Sequence, residues 1–356
     1  MNNEWKRILR QVAPGRSLRA GLDSILHART GGLIVFGHEA LSGLMNSGFN
    51  VDCSFSPARL YELAKMDGAI VLSADGSRIV YANVQLEPDP SIPSFETGIR
   101  HRTAERIARQ TGCLVIAVSE RRQVITLYKN EAKYILQDIS SLLAKASQAL
   151  QTLERYRKAM DHELINLSAL EFENVVTVAD VCSVLQRIEI VLRVAEELEM
   201  VVLELGDEGR LVNLQMQELL EGVAREQRLL VEDYLRPYPE RPEDQRLEKF
   251  REKLTEETPG TVVELSLIAR LLGYGSGTDA LETAAFPRGL RLLGKIPRLP
   301  YHVARNLVAR FHSLQNLLGA SVEELDAVEG IGTVRANAIR VGLRRLREQV
   351  MLNRRF

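Results

Sequence analysis

Hydrophobic and polar positions along the chain change their spacing twice. Up to about residue 140, helix-like and strand-like patterns alternate. Two groups of apolar residues each fall on one helical face: Leu18, Leu22, Ile25 and Leu26, and then Leu60, Leu63 and Ala64. Short runs rich in β-branched residues predict strands at GGLIVFG, GAIVLS, RIVYANVQL, CLVIAVS and QVITLY. The first part is therefore predicted to be an α/β domain with a central mixed sheet flanked by helices.

From about Ala132 to Phe286 the strand pattern gives way to helical spacing over many turns. One predicted helical stripe consists of Ile135, Ile139, Leu142 and Leu143. The stretch RPYPERPED, residues 236–244, is predicted to interrupt the helices. This acidic region has no chemical motif, so we interpret it as an all-α spacer with a structural or oligomer-supporting role.

Length and charge indicate three domains and an anionic partner. A chain of 356 residues exceeds what one core usually serves, and we predict domains at 1–140, 141–286 and 287–356. The net charge is -1, yet from Pro287 onward 13 Lys and Arg face 5 Asp and Glu. This imbalance favours a C-terminal domain that meets a polyanion. A merely solvated basic helix face is the alternative.

The sequence gives little support for a membrane protein, a secreted protein, or a protein stabilised by disulfides or by a cysteine-bound metal. The apolar runs, such as LIVF at 33–36, are far too short to cross a bilayer, and the N-terminus lacks the layout of a signal peptide. We therefore expect a soluble cytoplasmic protein. Cys53, Cys113 and Cys182 have neither metal-site nor disulfide spacing, and we expect buried thiols.

The C-terminal domain contains VEGIGTVRANAIRVGLRRLREQ, in which Gly330 and Gly332 allow a tight turn before a helix that opens at Thr333. The free N-H groups of such a helix start attract phosphate, and Arg335 follows at once. A turn without a ligand is the alternative. The pattern resembles the helix-hairpin-helix, a module that grips DNA phosphates without reading bases.

A degenerate copy of this motif precedes it in LGKIPRLPYHVARNLVARFHSLQNLL, with a helix predicted to begin near Tyr301. Helix-hairpin-helix motifs usually occur in pairs, so the C-terminal domain is predicted to be an all-α tandem. This copy has Pro297 and Pro300 and no GxG, so packing is an alternative to direct phosphate contact. Contacts to DNA phosphates predict binding that is sensitive to salt and follows DNA shape.

The segment ETGIRHRTAERIARQTG places Arg100, His101 and Arg102 at the start of a helix. We predict a loop at Thr97 and Gly98, a helix start around 101–103, a buried side with Ala104, Ile107 and Ala108, and a C-terminal stop at Gly112. The helix dipole adds to the charge of the two arginines, so an anion such as a triphosphate would relieve their repulsion. Separate pairing of each arginine with a carboxylate is the alternative.

The segment MDGAIVLS lies about thirty residues earlier. Asp67 and Gly68 are commonly no more than a turn. At the entry to a buried strand, however, the carboxylate can hold Mg²⁺ and the glycine admits a ligand against the backbone. Together with the basic helix start, this segment predicts a metal-nucleotide site.

The pair DGA (67–69) and RHR (100–102) in an α/β domain resembles the diadenylate cyclase family, which condenses two ATP into cyclic di-AMP. With the helical middle and the C-terminal hairpins, the whole chain resembles the DNA-binding branch of that family.

The resemblance implies roles for individual residues. Asp67 holds Mg²⁺ or Mn²⁺ and helps activate the ribose 3'-hydroxyl. Arg100, His101 and Arg102 meet the phosphates and complete the catalytic set. The remaining nucleotide contacts come from Gly68, Ala69, Leu86 through its main chain, Ile99, Thr103 and Ser119. Ile99 stands where the family usually has Thr, so weaker nucleotide binding is expected. The residues implied to contact DNA are Gly330, Gly332, Thr333 and Arg335.

A product with two-fold symmetry is most simply made between two identical sites that face each other, so we expect a face-to-face dimer. The resemblance further implies an octamer, association with the nucleoid, and inhibition by branched DNA that makes cyclic di-AMP a report on genome integrity. Two other functions stay open. One is an ATP-sensing DNA-binding or repair scaffold without cyclase activity, and the other is a nucleotidyltransferase with a different acceptor.

Overall fold

The computed structural model of the chain describes residues 3–236, 246–258 and 263–354. The predicted interruption at 236–244 lies outside these residues except for its first position. The chain forms two compact units, Met1–Gln148 with Glu199–Asn213, and Ala149–Leu198 with Leu214–Phe356. Within the described ranges, no helix is long and apolar enough to cross a membrane.

The first unit is an α/β domain in which one sheet is covered on both faces. Its elements are α1 (Asn3–Val12), α2 (Ser17–His27), β1 (Gly32–Phe36), β2 (Met45–Asn46), β3 (Phe49–Ser54), α3 (Pro57–Leu63), β4 (Ala69–Leu72), β5 (Arg78–Leu86), α4 (Ile99–Thr111), β6 (Val115–Ser119), β7 (Val124–Lys129) and β8 (Ala132–Ile135). The strand order is β2-β5-β4-β1-β6-β7-β8, with β3 also paired to β5. β1 and β4 are parallel and the other pairs are antiparallel, which confirms the predicted mixed sheet.

Alternate residues of the central strands face opposite cores. Ile34 and Ile70 pack with the helices α1, α2 and α3, whereas Val35 and Val71 pack with α4. Because both faces are buried, these strands read as continuous apolar runs in the sequence. Among the cysteines, Cys182 is buried as predicted, but Cys53 and Cys113 are only partly buried.

Three strands were not predicted. β2 and β3 lie at an edge of the sheet and are largely exposed, so they lack an apolar run. β8 occupies part of the region predicted to be helical, and Ile135 ends this strand with an exposed side chain. The predicted stripe from Ile135 to Leu143 is therefore wrong at Ile135, and only Leu142 of its members is fully buried. Leu143 is exposed because it points to the outer side of the following helix.

Two long helices follow, and shorter helices form the rest of the chain. They are α5 (Ile139–Glu173), α6 (Val178–Leu205), α7 (Arg210–Leu220), α8 (Val223–Tyr234), α9 (Arg246–Glu257), α10 (Leu265–Leu271), α11 (Thr278–Glu282), α12 (Leu290–Leu293), α13 (Tyr301–Phe311), α14 (Leu314–Gly319), α15 (Val322–Asp326) and α16 (Thr333–Asn353). This helical order confirms the predicted all-α spacer and all-α C-terminal domain.

A buried polar cluster within the second unit joins the C-terminal helices to α5 and α8. Arg291 is fully buried, pairs with Glu171 and donates to the Ser168 hydroxyl at 2.9 Å. The carboxylate of Asp233 accepts the backbone N-H of Leu290 at 2.7 Å and of Arg291 at 2.8 Å. Most of the spacer therefore shares one compact unit with the C-terminal domain.

Candidate functional site

Strand register brings several of the predicted residues to one edge of the sheet. β1 and β4 run parallel, so Gly31 and Asp67, which lie just ahead of these strands, reach the same edge. β6 is antiparallel to β1 and β5 is antiparallel to β4, so both end there, at Ser119 and Leu86. The topology thus gathers residues that are far apart in the sequence.

Asp67 is an exposed carboxylate ahead of β4. It is the first residue of the predicted DGA motif, whose Ala69 is buried as the first residue of β4. Within the described ranges, no group of three or more His, Cys, Asp or Glu side chains could hold a metal ion. A cation at Asp67 would therefore need further oxygen ligands from a substrate or from water.

Position 68 must be a glycine, because a side chain there would collide with the backbone of the neighbouring strand β5. A Cβ atom at this position would lie 2.5 Å from Cα of Asn83 and 2.6 Å from the backbone nitrogen of Val84. Asn83 has a positive φ of 53° at an irregularity in the β4–β5 pairing, and its Oδ1 accepts the Gly68 N-H at 3.2 Å. Asn83 thereby helps to fix the backbone that follows Asp67.

Helix α4 begins at Ile99, two residues earlier than the earliest predicted start. Its N-cap is Gly98, which provides no side-chain cap, and the first helical bond runs from the Arg102 N-H to the Gly98 carbonyl at 2.9 Å. The helix ends as predicted, at Gly112 with φ 68°. The N-terminal N-H groups of α4 therefore remain available to an anion.

The two arginines of the motif differ in their surroundings. The side chain of Arg100 lies against Gly31: a Cβ atom added at Gly31 would stand 3.3 Å from the Arg100 guanidinium carbon. This contact takes Arg100 to the sheet edge that also carries Asp67. Arg102 is exposed and makes a long contact of 3.5 Å to the Thr97 carbonyl. Neither arginine forms a salt bridge among the described residues, which disfavours the alternative of separate carboxylate partners.

His101 is buried and forms a chain of polar contacts. Its Nδ1 lies 2.9 Å from the Tyr128 hydroxyl, and that hydroxyl donates to Glu96 Oε1 at 3.0 Å. Lys133 pairs with the same carboxylate, and Arg122 lies 4.0 Å from it. His101 Nε2 is buried and has no partner among the described residues.

These contacts set the charge of each group. Burial opposes ionisation of Glu96, but hydrogen bonds from Lys133 and Tyr128 outweigh it and lower the pKa of the carboxyl. Burial lowers the pKa of His101, and the positive charges of Arg122, Lys133 and Arg100 lower it further against the opposing effect of Glu96. At neutral pH the site therefore contains an ionised Glu96 beside a neutral His101.

The remaining predicted contacts range from exposed to buried. The Ile99 side chain is 83% exposed at the start of α4, and Thr103 is half-buried one turn later. Ser119 is buried, and its hydroxyl accepts the Arg122 N-H at 3.1 Å. Leu86 is buried at the end of β5, where it pairs with Met45 of β2.

The C-terminal domain contains two hairpins, each with a positive φ three residues before a helix. In the second, Gly330 has φ 83°, the Ile331 N-H binds the Val328 carbonyl, and α16 begins at Thr333 as predicted. In the first, Arg298 has φ 63°, and α13 begins at Tyr301 as predicted. Arg335 folds back onto the carbonyl of Gly330. Both turns therefore expose the start of a helix.

Sequence reasoning missed Asn83, Glu96 and Tyr128. Each acts through a contact with a residue at least 15 positions away, and no local motif marks them. An Asn inside a strand pattern was the only available signal, because Asn tolerates a positive φ better than most residues.

Family comparisons cover nearly the whole chain. Residues 19–133 match the DisA bacterial checkpoint controller nucleotide-binding family, residues 136–281 match the DisA bacterial checkpoint controller linker region, and residues 290–348 match the helix-hairpin-helix motif. A nucleotide-binding domain, a linker and a helix-hairpin-helix domain, in this order, define the class of protein: a bacterial checkpoint controller.

Full-length relatives identify the family. Proteins named DNA integrity scanning protein DisA are 53% identical in Symbiobacterium thermophilum, 52% in Carboxydothermus hydrogenoformans and 50% in Bacillus subtilis. These matches cover 99%, 96% and 98% of this chain and 98%, 96% and 96% of the relatives. The chain belongs to the DisA family of DNA integrity scanning proteins, which confirms the predicted resemblance.

Proposed function

We propose that the protein is a diadenylate cyclase that condenses two ATP into cyclic di-AMP and two pyrophosphates, and that binding of branched DNA regulates this activity. The main support is the sheet edge that carries both the exposed carboxylate of Asp67 and the guanidinium of Arg100. One group suits a cation and the other suits a phosphate, and the N-H groups at the start of α4, which have no side-chain cap, lie on the helix that carries Arg100.

Phosphoryl transfer depends on positioning and on neutralising charge more than on covalent help. The start of α4, with Arg100 and Arg102, would hold the triphosphate. The 3'-oxygen of one ATP then bonds to the α-phosphorus of the other, and the electron pair of the broken bond leaves with pyrophosphate. Two such steps close the ring of cyclic di-AMP.

The residues fit a divalent cation bound together with the substrate. Asp67 is exposed and offers one carboxylate, and Mg²⁺ typically binds one or two carboxylates plus substrate phosphates. Mg²⁺ or Mn²⁺ held by Asp67 would neutralise triphosphate charge and acidify the attacking hydroxyl.

Each ATP would lie in one subunit, so that the reaction joins two facing sites. A face-to-face dimer is the smallest assembly with this property, and an octamer is the proposed complete assembly. Dilution below the dimer dissociation constant should then abolish activity per subunit. Activity per subunit that stays constant through dissociation would contradict the dimer.

The two hairpins would bind DNA phosphates at the starts of α13 and α16. Such contacts carry no base information, so preference for branched or junction DNA would come from shape. Gly330, Gly332, Thr333 and Arg335 form the second turn, and this end of the chain would associate the protein with the nucleoid.

The test is to incubate the full-length protein with ATP and Mg²⁺ or Mn²⁺, with or without a four-way DNA junction, and to identify nucleotides by mass. Cyclic di-AMP that decreases with the junction would support both activities. Cyclic di-AMP formation that the junction does not change would support the cyclase and refute its regulation by DNA. ATP binding without product would favour a sensing scaffold, and adenylate on another molecule would favour a different transferase.

A second Asp-Gly pair offers a matched control. Asp67→Asn should abolish product while leaving the unfolding temperature unchanged. Asp75 is also an exposed Asp before a glycine, but it lies in the turn after β4, at the other end of that strand. Asp75→Asn should therefore retain activity, and equal losses in the two variants would argue against a special role for Asp67.

A further inference from the structure

The hydroxyl of Tyr128 fixes which nitrogen of His101 carries a proton. This hydroxyl has one proton, and it donates that proton to Glu96. Glu96 is ionised and forms an ion pair with Lys133, so it has no proton to donate to the Tyr128 hydroxyl. The contact between Tyr128 and His101 must therefore run from Nδ1-H to the phenol oxygen. In the neutral imidazole, Nε2 then carries a lone pair.

This Nε2 atom is buried and has no partner among the described residues. A buried polar atom that stays unsatisfied destabilises the folded state, so a bound group is expected to complete it. Cδ2, the ring atom next to Nε2, lies 3.9 Å from where a Cβ atom at Gly98 would stand. The Nε2 side of the ring is therefore next to the N-cap of α4, where the nucleotide phosphates are proposed to bind.

We propose that His101 is the proton acceptor of the cyclase reaction and that Tyr128 and Glu96 are positioning residues that hold it in the required tautomer. This assignment rests on the proposed function. The proton of the ribose 3'-hydroxyl moves to Nε2 as the 3'-oxygen bonds to the α-phosphorus, and pyrophosphate leaves with the electron pair. The proton then passes from Nε2 to solvent. His101 thus accepts a proton, whereas the family resemblance implied a phosphate contact, which would need Nε2 as a donor.

The surroundings suit this cycle. In the resting site, burial and the positive charges of Arg122, Lys133 and Arg100 keep His101 neutral. After proton transfer, the imidazolium is stabilised through Tyr128 by the carboxylate of Glu96. In hydrolases a histidine oriented directly by a carboxylate serves proton transfer; here Tyr128 connects the carboxylate of Glu96 to the histidine.

The pH profile tests the direction of proton transfer. A proton acceptor must be neutral, so activity should fall as the pH drops through the pKa of His101. Glu96 raises this pKa, so Glu96→Gln should lower it and move the acidic limb of the profile to lower pH. Activity that instead falls as the pH rises through this range would overturn the proposal, because it would require a protonated His101. An acidic limb that Glu96→Gln leaves in place would also overturn it.

Tyr128→Phe tests the positioning role against a matched control. Loss of an outer partner of a metal-binding histidine typically lowers activity roughly 10- to 100-fold; we expect a comparable loss here, in kcat more than in KM. Tyr134 also donates to a glutamate, Glu204, at 2.6 Å, and forms no contact with a histidine. Tyr134→Phe should therefore retain the wild-type kcat. Equal losses in the two variants would assign Tyr128 a structural role only.

A binding measurement separates this proposal from the proposed function. Wild-type protein that makes no cyclic di-AMP at any pH would refute the cyclase. The contact of His101 with the 3'-hydroxyl would then be decided by calorimetry with ATP and 3'-deoxy-ATP. One hydrogen bond predicts roughly 2- to 12-fold tighter binding of ATP, and this advantage should vanish in His101→Phe. Equal affinity of the wild-type protein for both nucleotides would refute the contact.

Discussion

Replacing Gly68 with Ala tests how far the neighbouring strand fixes the position of Asp67. The new Cβ would lie 2.5 Å from Cα of Asn83, whereas carbon atoms in contact lie at about 3.5 Å or more. The backbone around Gly68 or Asn83 must therefore move by about 1 Å. Both partners are backbone, so no flexible side chain can absorb the change.

Two effects of different size are expected. Overpacking of this kind typically costs about 1–3 kcal/mol in the free energy of unfolding. Activity should decrease more, because a displacement of about 1 Å in a catalytic group can cost about 100-fold in rate. Gly68→Ala should therefore remain folded but form cyclic di-AMP about 100-fold more slowly.

The assay combines thermal unfolding with initial rates of cyclic di-AMP formation at saturating ATP. Gly32→Ala is the matched control, because Gly32 begins the adjacent strand and a Cβ there meets its neighbours at 3.6 Å, an ordinary contact. That variant should keep both its stability and its activity. A Gly68→Ala enzyme as active as the control would refute the reasoning that packing against Asn83 positions Asp67.

Three further predictions concern other positions. Asn83→Gly keeps the positive φ but loses the acceptor for the Gly68 N-H, so activity should fall roughly 2- to 12-fold with little change in unfolding temperature; unchanged activity would contradict this role. Arg298→Gly should stabilise the protein by about 1 kcal/mol in urea unfolding, because glycine adopts a positive φ without strain. Gly330→Ala should destabilise it by a similar amount for the same reason. A destabilised Arg298→Gly together with a stabilised Gly330→Ala would contradict this geometry. Burial and the charge of Glu171 raise the pKa of Asp233 to about 7, above its unfolded value of 3.8. The folded state therefore binds the proton more tightly, and the stability of the wild type relative to Asp233→Asn should fall as the pH rises from about 4 to 7. A relative stability that rises over this range would contradict the raised pKa.

The sequence predicted the buried strands well because two-sided burial leaves an unbroken apolar run, as in β1 and β4. It failed where burial is incomplete. β3 is an exposed edge strand whose short alternation, FNVDCS, has no continuous apolar run, and Ile135 fits the helical spacing of Ile139 although it ends a strand. Such short edge strands are set by pairing with a neighbour, which local pattern does not contain.

The sequence identified the site residues that lie in local motifs and missed those that lie outside such motifs. Asp67 and Arg100 stand in short motifs, whereas Tyr128 matters through its tertiary contact with His101, and Glu96 through its contact with Tyr128. The start of α4 was misplaced because its N-cap is Gly98, which lacks the side-chain oxygen of a typical cap.

The left-handed backbone at Arg298 bears on how such hairpins diverge. Each of the two turns of the C-terminal domain has a positive φ three residues before its helix, although one has Gly330 there and the other Arg298, which follows a proline. The same turn of the chain can therefore be built from different residues. Of these two turns, a search for the GxG motif finds the Gly330 turn alone, whereas a search for a positive φ three residues before a helix start finds both.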